Sequence, residues 1–172
     1  MFTYVALLRA VNVAGTGKLP MADLRAMGEE LGFANVRTFI ASGNLLFDSD
    51  ANEAEVKAAL EARLETYAGK RVPVLVRTGA ELAAIIAANP FPDAHGSRHM
   101  VDFYDSPPPS DLPALCRDVK GERLALGLRE LHVDYGEGIR HTRLKIHGKE
   151  DRTGRNMNTV KKLAEMSHSP IA

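Results

Sequence analysis

The spacing of apolar positions changes several times along the chain, and each change marks an element. From Thr3 to Ala10 the run through Tyr4, Val5, Ala6, Leu7 and Leu8 is nearly unbroken, the pattern of a strand covered on both faces. After a connection over Val11 to Leu19, Pro20 is placed to open a helix. Met21, Leu24, Met27 and Leu31 then recur at helical spacing until Gly32 ends the pattern. Asn35 to Ala41 and Asn44 to Asp48 are rich in Val, Thr, Ile, Leu and Phe, with Ser42 and Gly43 between them, which predicts a β-hairpin. Asn52 and Glu55 form a capping-box pattern. Val56, Leu60, Leu64 and Tyr67 continue it as one helical face, Gly69 closes it, and Val72 to Thr78 supplies a fourth strand.

Residues 3 to 78 thus read β-α-β-β-α-β, the order of a ferredoxin-like unit. A second capping box at Thr78 and Glu81 opens a helix that buries Leu82, Ile85 and Ile86 and stops at Asn89-Pro90. His99 to Tyr104 alternates as a strand, the prolines within Asp105 to Pro113 require a loop, and Arg123 to Leu126 with Glu130 to Tyr135 predict another hairpin. Met157, Val160, Leu163 and Met166 or Ser167 mark a closing helix, with Asn156 or Thr153 as its cap. The second half loosely echoes the first without a residue-level repeat, and no Gly/Ser linker or low-complexity tract separates them. The expectation is an α+β protein forming one compact domain over 1–172. Its ferredoxin-like N-terminal half, about 1–78, is expected to pack against a related α/β C-terminal half, 79–172.

Composition narrows the function classes. With 172 residues, 45% of them hydrophobic, the chain can bury a core without metal or disulfide staples. Lys plus Arg and Asp plus Glu each number 22, so the global positive field of a non-specific nucleic-acid binder is absent. The single Cys116 cannot form an internal disulfide and has no His near it in sequence, which reads as an ordinary packed residue. The short apolar run Tyr4 to Leu8 is neither a secretory core nor a membrane span. A cytoplasmic monomer with no membrane association is expected.

Three segments carry a family resemblance: YVALLRAVNVAGTGKLPMADLR (Tyr4 to Arg25), LGFANVRTFIASGNLLF (Leu31 to Phe47) and TGRNMNTVKKLAEM (Thr153 to Met166). In order and spacing the chain resembles the bacterial domain-of-unknown-function 1697 family. That resemblance implies an α+β fold and no established activity. It also marks departures: the family usually has glycine where Ala10 and Ala14 stand, Gln at Ala41 and Trp at Met157.

The candidate chemistry lies at the ends of elements. Arg9 and Asn12 leave the first strand, and Gly15 and Gly17 would let backbone amides of the following loop approach an anion, with Lys18 adding charge. The same glycines serve equally to turn the chain from strand to helix. The string Ala14 to Lys18 lacks phosphate-loop spacing, and Leu19 stands where a Mg²⁺-binding hydroxyl would be. Ser42 and Asn44 either face a cleft or simply build the hairpin turn. Thr153-Gly154-Arg155-Asn156, read as the loop before the last helix, places Arg155 to grip a phosphate or carboxylate at that helix's N-terminus; plain capping by Thr153 or Asn156 is the alternative.

From Glu137 onward eight Lys and Arg face four acids, a local basic surface that could meet RNA or an acidic protein, although charge runs usually form a solvated face. The third strand lacks the aromatic signature of an RNA-recognition sheet. His95 and His99 lie four apart, but Gly96 argues against the helix that would align them on a metal, and His141 and His147 have no adjacent nucleophile. No nucleophile-base pair, metal-ligand spacing or cofactor fingerprint is complete, so the sequence assigns neither a reaction nor a cofactor.

The leading expectation is a protein that binds a small anionic metabolite or nucleotide in a cleft between its halves. Arg9, Asn12, Lys18, Ser42, Asn44, Arg155 and Asn156 would converge on it. The alternative is a non-catalytic protein or RNA interaction module using the basic C-terminal surface.

Overall fold

The computed structural model describes residues 1–12 and 18–168; Gly15 and Gly17 lie outside the described residues. The chain divides into two compact units, residues 1–82 with 163–172, and residues 83–162.

The first unit is the expected ferredoxin-like arrangement. Strands β1 (Phe2–Leu8), β2 (Ala34–Thr38), β3 (Asn44–Ser49) and β4 (Val74–Thr78) form an antiparallel sheet in the order β2-β3-β1-β4. Helices α1 (Met21–Glu30) and α2 (Glu53–Ala68) are the crossovers. Strand alternation explains the core: Tyr4, Ala6 and Leu8 of β1, Leu45 and Phe47 of β3, and Val74 and Val76 of β4 share one face. Leu24 and Met27 from α1 and Val56, Leu60 and Leu64 from α2 close over it. The Asn52 box is formed in full. The Asn52 side chain accepts from the Glu55 amide, the Glu55 carboxylate accepts from the Asn52 amide, and Gly69 ends the helix in the left-handed conformation at φ 71°.

In the second unit β5 (His99–Tyr104), β6 (Arg123–Leu126), β7 (Glu130–Asp134) and β8 (Arg152–Asn156) form an antiparallel sheet in the order β6-β7-β5-β8. Rank for rank this is the order of the first sheet. The short helix α4 (Leu112–Leu115) holds the place of α1, but residues 135–151, between β7 and β8, contain no helix to match α2. The apolar cluster is correspondingly small: Tyr104, Leu112, Leu131 and Val133 are buried, with Leu144 and Ile146 of that connection packed against them.

Helices α3 (Gly79–Ala87) and α5 (Met157–His168) follow directly on β4 and β8. Thr78 and Glu81 form the expected reciprocal box at the start of α3, and Asn156 caps α5 by accepting from the Thr159 amide at 2.9 Å. The end of α5 belongs to the first unit, where the Met166 carbonyl accepts a hydrogen bond from Arg37 of β2.

The structure corrects several readings. Thr153 to Asn156 is not a loop but an edge strand, in register with β5 through Met100 opposite Asn156 and Val101 opposite Arg155. Pairing with β5 overrides the weak strand propensity of the Gly-Arg-Asn sequence. Asp105 to Pro113 is not wholly loop, because α4 starts at Leu112. Strand β1 stops at Leu8 rather than Ala10, since Ala10 adopts φ 54°, and the hairpin's first strand stops at Thr38 because Ile40 does the same at φ 53°. Among the described residues no helix is long and apolar enough to cross a membrane.

Candidate functional site

The exit of β1 is an open cleft in the first unit. Ala10 and Asn12 both take left-handed backbone conformations, φ 54° each, which turn the chain away from the sheet. Asn12 then clasps the loop it begins. Its Nδ2 donates to the Leu19 carbonyl at 2.9 Å and to the Ala41 carbonyl at 2.7 Å, and its Oδ1 accepts from the Leu19 amide at 2.7 Å. Both amide hydrogens are therefore committed to the chain, and Asn12 shapes the mouth of the loop.

Antiparallel pairing of β4 with β1 brings the end of α2 to the same place: the Arg9 amide donates to the Pro73 carbonyl at 3.0 Å. Between these segments lies a cavity of about 770 Å³ bordered by Arg9, Lys18, Lys70 and Arg71, with Val11, Leu19, Leu64 and Val72 among its apolar lining. Among the described residues its lining includes no acidic side chain. Tyr67 adds an aromatic wall, its hydroxyl donating to Asp23 at 3.0 Å. Arg71 lies 4.0 Å from Glu61, an exposed pairing of little strength.

Of the expected site residues, Arg9 and Lys18 border this cavity. Ser42 and Asn44 belong to the hairpin turn: Asn44 is fully buried and donates to the Phe39 carbonyl and the Ser42 hydroxyl. Gly43 between them sits at φ 88°, where a Cβ would stand 2.5 Å from Val11 and 3.0 Å from Leu8, so turn geometry and packing against the β1 exit both demand glycine. Lys70 and Arg71 go unnoticed in the sequence, where Tyr67 reads only as part of a helical face. The signal was available, because a β-α-β-β-α-β order sets the start of the fourth strand beside the end of the first.

Arg155 and Asn156 lie in the second unit. Arg155 is a buried strand residue whose guanidinium donates to the Thr153 hydroxyl at 2.8 Å and the Gly154 carbonyl at 2.9 Å, and burial lowers its pKa to about 10. It has a counterpart in Arg77 of β4, which is 1% exposed and donates to the carbonyl of its own preceding residue, Val76. Each arginine stands one residue before the residue that caps the next helix, so the Arg-Asn sequence repeats a structural position of the fold.

The second unit also carries paired imidazoles. His99 Nε2 and His132 Nδ1 are 2.8 Å apart, both rings are buried, and Phe91 meets His99 edge-on. Burial lowers both pKa values, that of His132 to about 4 with the field of His99 adding to it. Beside them Arg123 holds Asp134 through Nε at 2.9 Å and Nη2 at 2.6 Å. Burial would raise the Asp134 pKa, but the Gly136 amide and Arg123 hold it below the usual range. Cys116, the extended residue that follows α4, donates to the Leu112 carbonyl at 3.3 Å and packs against the apolar cluster.

Comparison with known proteins gives two findings. The profile of the family described as "Protein of unknown function (DUF1697)" matches residues 1–132, a span that stops short of the Thr153 to Met166 segment. Among solved structures, the conserved bacterial protein SP0830 from Streptococcus pneumoniae is similar with a TM-score of 0.80 and 24% identity, over 96% of this chain and 98% of that one. No curated protein matches in sequence. At that identity the structural likeness establishes the fold alone.

Proposed function

The chain belongs to the DUF1697 family, whose description carries no activity, and on the chemistry of the cleft itself we propose that the protein binds a small anionic metabolite or nucleotide in its first unit. One observation carries the reading: Arg9, Lys18, Lys70 and Arg71 border a cavity whose lining, among the described residues, includes no acid. Four cations around a concave surface raise the local concentration of anions, and arginine forks favour phosphate or carboxylate. The apolar lining and the Tyr67 ring suit a flat or apolar moiety attached to the charge, as in a nucleotide. A volume of about 770 Å³ falls in the range of small-molecule sites.

A thermal-shift series with inorganic phosphate, pyrophosphate and AMP tests this. The expected result is saturable stabilisation by pyrophosphate or AMP, reaching about 2.7 kcal/mol at a hundredfold excess over Kd, and lost when Lys70 and Arg71 are both replaced by alanine. Equal stabilisation of that double variant would refute the assignment.

A second reading has its own observation. Arg143 and Lys145 are exposed along the β7-β8 connection, and Lys145 is bridged through its backbone to exposed Arg117. These cations form a surface for RNA or an acidic protein, and association there would weaken steeply with salt.

A further inference from the structure

Strand β8 lacks the helical cover that its counterpart β4 has. In the first unit α2 lies over β4, and Val74 and Val76 are buried beneath Val56, Leu60 and Leu64. In the second unit no helix stands in that place, and the matching positions on β8 are Arg152, Gly154 and Asn156, all half-exposed. The residue of β5 paired with Gly154 is Asp102, at the position that Ala6 occupies opposite Val76 in the first sheet.

Asp102 is 8% exposed. Among the described residues its carboxylate accepts no hydrogen bond and forms no ion pair; Arg152 reaches it only through its field. Gly154 makes the room, since a Cβ there would stand 2.7 Å from Asp102 Oδ1. The Asp102 charge is felt by the phenols of Tyr104 and Tyr135; Arg152, Glu150 and Cys116 also act on Tyr104, and Glu122, Arg152 and Cys116 on Tyr135. A buried carboxylate without donors is costly, and such groups persist where a ligand or a reaction uses them.

We propose that the sheet face at Asp102 and Gly154, on β5 and β8, is a binding site for a small organic cation, an alkylammonium or guanidinium group, with the Asp102 carboxylate as its counter-ion. The carboxylate supplies charge in a setting of reduced dielectric, where it is worth more than in water. Nearby tyrosine rings attract cations through their faces. A larger residue at Gly154 would press against the carboxylate from the β8 side. The site is independent of the basic cleft, has the opposite charge preference, and stands whether or not that cleft binds anions.

Titration of ¹⁵N-labelled protein with butylammonium and methylguanidinium chlorides at pH 8, at constant ionic strength, tests the site. Saturable shifts at the Met100 and Gly154 amides are expected with one of the two ions. Affinity should fall as the pH drops below about 6, where Asp102 takes up a proton. Asp102→Asn, which keeps the side-chain shape, should weaken binding at least about tenfold. Gly154→Ala, which keeps the carboxylate but crowds it, should weaken binding as well. Failure of both ions to saturate the wild-type protein, or unchanged affinity in Asp102→Asn, would overturn the proposal.

Discussion

The two units share one strand order and differ in how they cover it. In the first, two full helices close over an apolar face to which all four strands contribute Val, Leu, Tyr or Phe. In the second, a four-residue helix and an extended connection leave a small apolar cluster with Asp102 on the same face of the sheet, while His99, Glu130, His132, Asp134, Thr153 and Arg155 are buried on the opposite face. The same topology therefore serves one sheet as a conventional core and the other as a platform for ionisable groups. On the face that α2 covers in the first unit, helix burial makes the difference, because an amphipathic helix removes far more apolar surface from water than an extended segment of similar span.

This contrast is most directly broken at the cover. Leu60→Ala removes a fully buried α2 side chain and should cost about 3 kcal/mol. Leu144→Ala on the half-buried connection of the second unit should cost about 1 kcal/mol. Urea denaturation of both variants reads the difference, and equal costs would mean that the connection seals its sheet as tightly as the helix does.

A second test uses the ionisable groups. Burial raises the pKa of Asp102 from 3.8 to about 6. Its contribution therefore favours the fold fully below about pH 4 and is lost as the pH rises through 6. Burial lowers the pKa of His132 from 6.5 to about 4, so its contribution is present above about pH 6.5 and is lost as the pH falls toward 4. Over that window the two slopes oppose, each amounting to roughly 3 kcal/mol at most. Asp102→Asn should unmask a loss of stability on acidification, and His132→Gln should reverse it. Denaturation midpoints measured from pH 4 to 7 decide the matter; profiles unchanged in both variants would count against buried ionisation as the distinctive property of the second unit.

The smallest effect lies in the first unit. Ala10 holds φ 54° at a position where glycine adopts that conformation without the clash that a Cβ brings. Ala10→Gly should raise stability by roughly 1 kcal/mol, read from the shift in melting temperature. Destabilisation would show that the Ala10 methyl contributes more at the rim of the cleft than its backbone conformation costs.

The sequence made the first unit legible and the second only in part, for physical reasons. Long helical periodicities, two capping boxes and an apolar first strand declare themselves within a few residues. Strand β8 does not: Arg152 to Asn156 has neither alternation of apolar residues nor β-branched content beyond Thr153, and it is a strand because β5 offers it hydrogen bonds. The cleft was half visible. Arg9 and Lys18 stand out beside the first strand, whereas Lys70 and Arg71 lie some sixty residues away and meet Arg9 only through the antiparallel pairing of β1 with β4. Asp102 was hidden inside a well-marked strand, since nothing local reveals that its neighbour across the sheet is a glycine and that no helix covers it.

The most direct measurement is an isothermal titration of pyrophosphate into the wild-type protein, the Lys70→Ala/Arg71→Ala variant and Arg155→Lys. Binding that survives in Arg155→Lys and disappears in the double variant is the result expected of an anion site at the cleft in the first unit. Binding that persists in the double variant and is lost in Arg155→Lys would contradict that assignment.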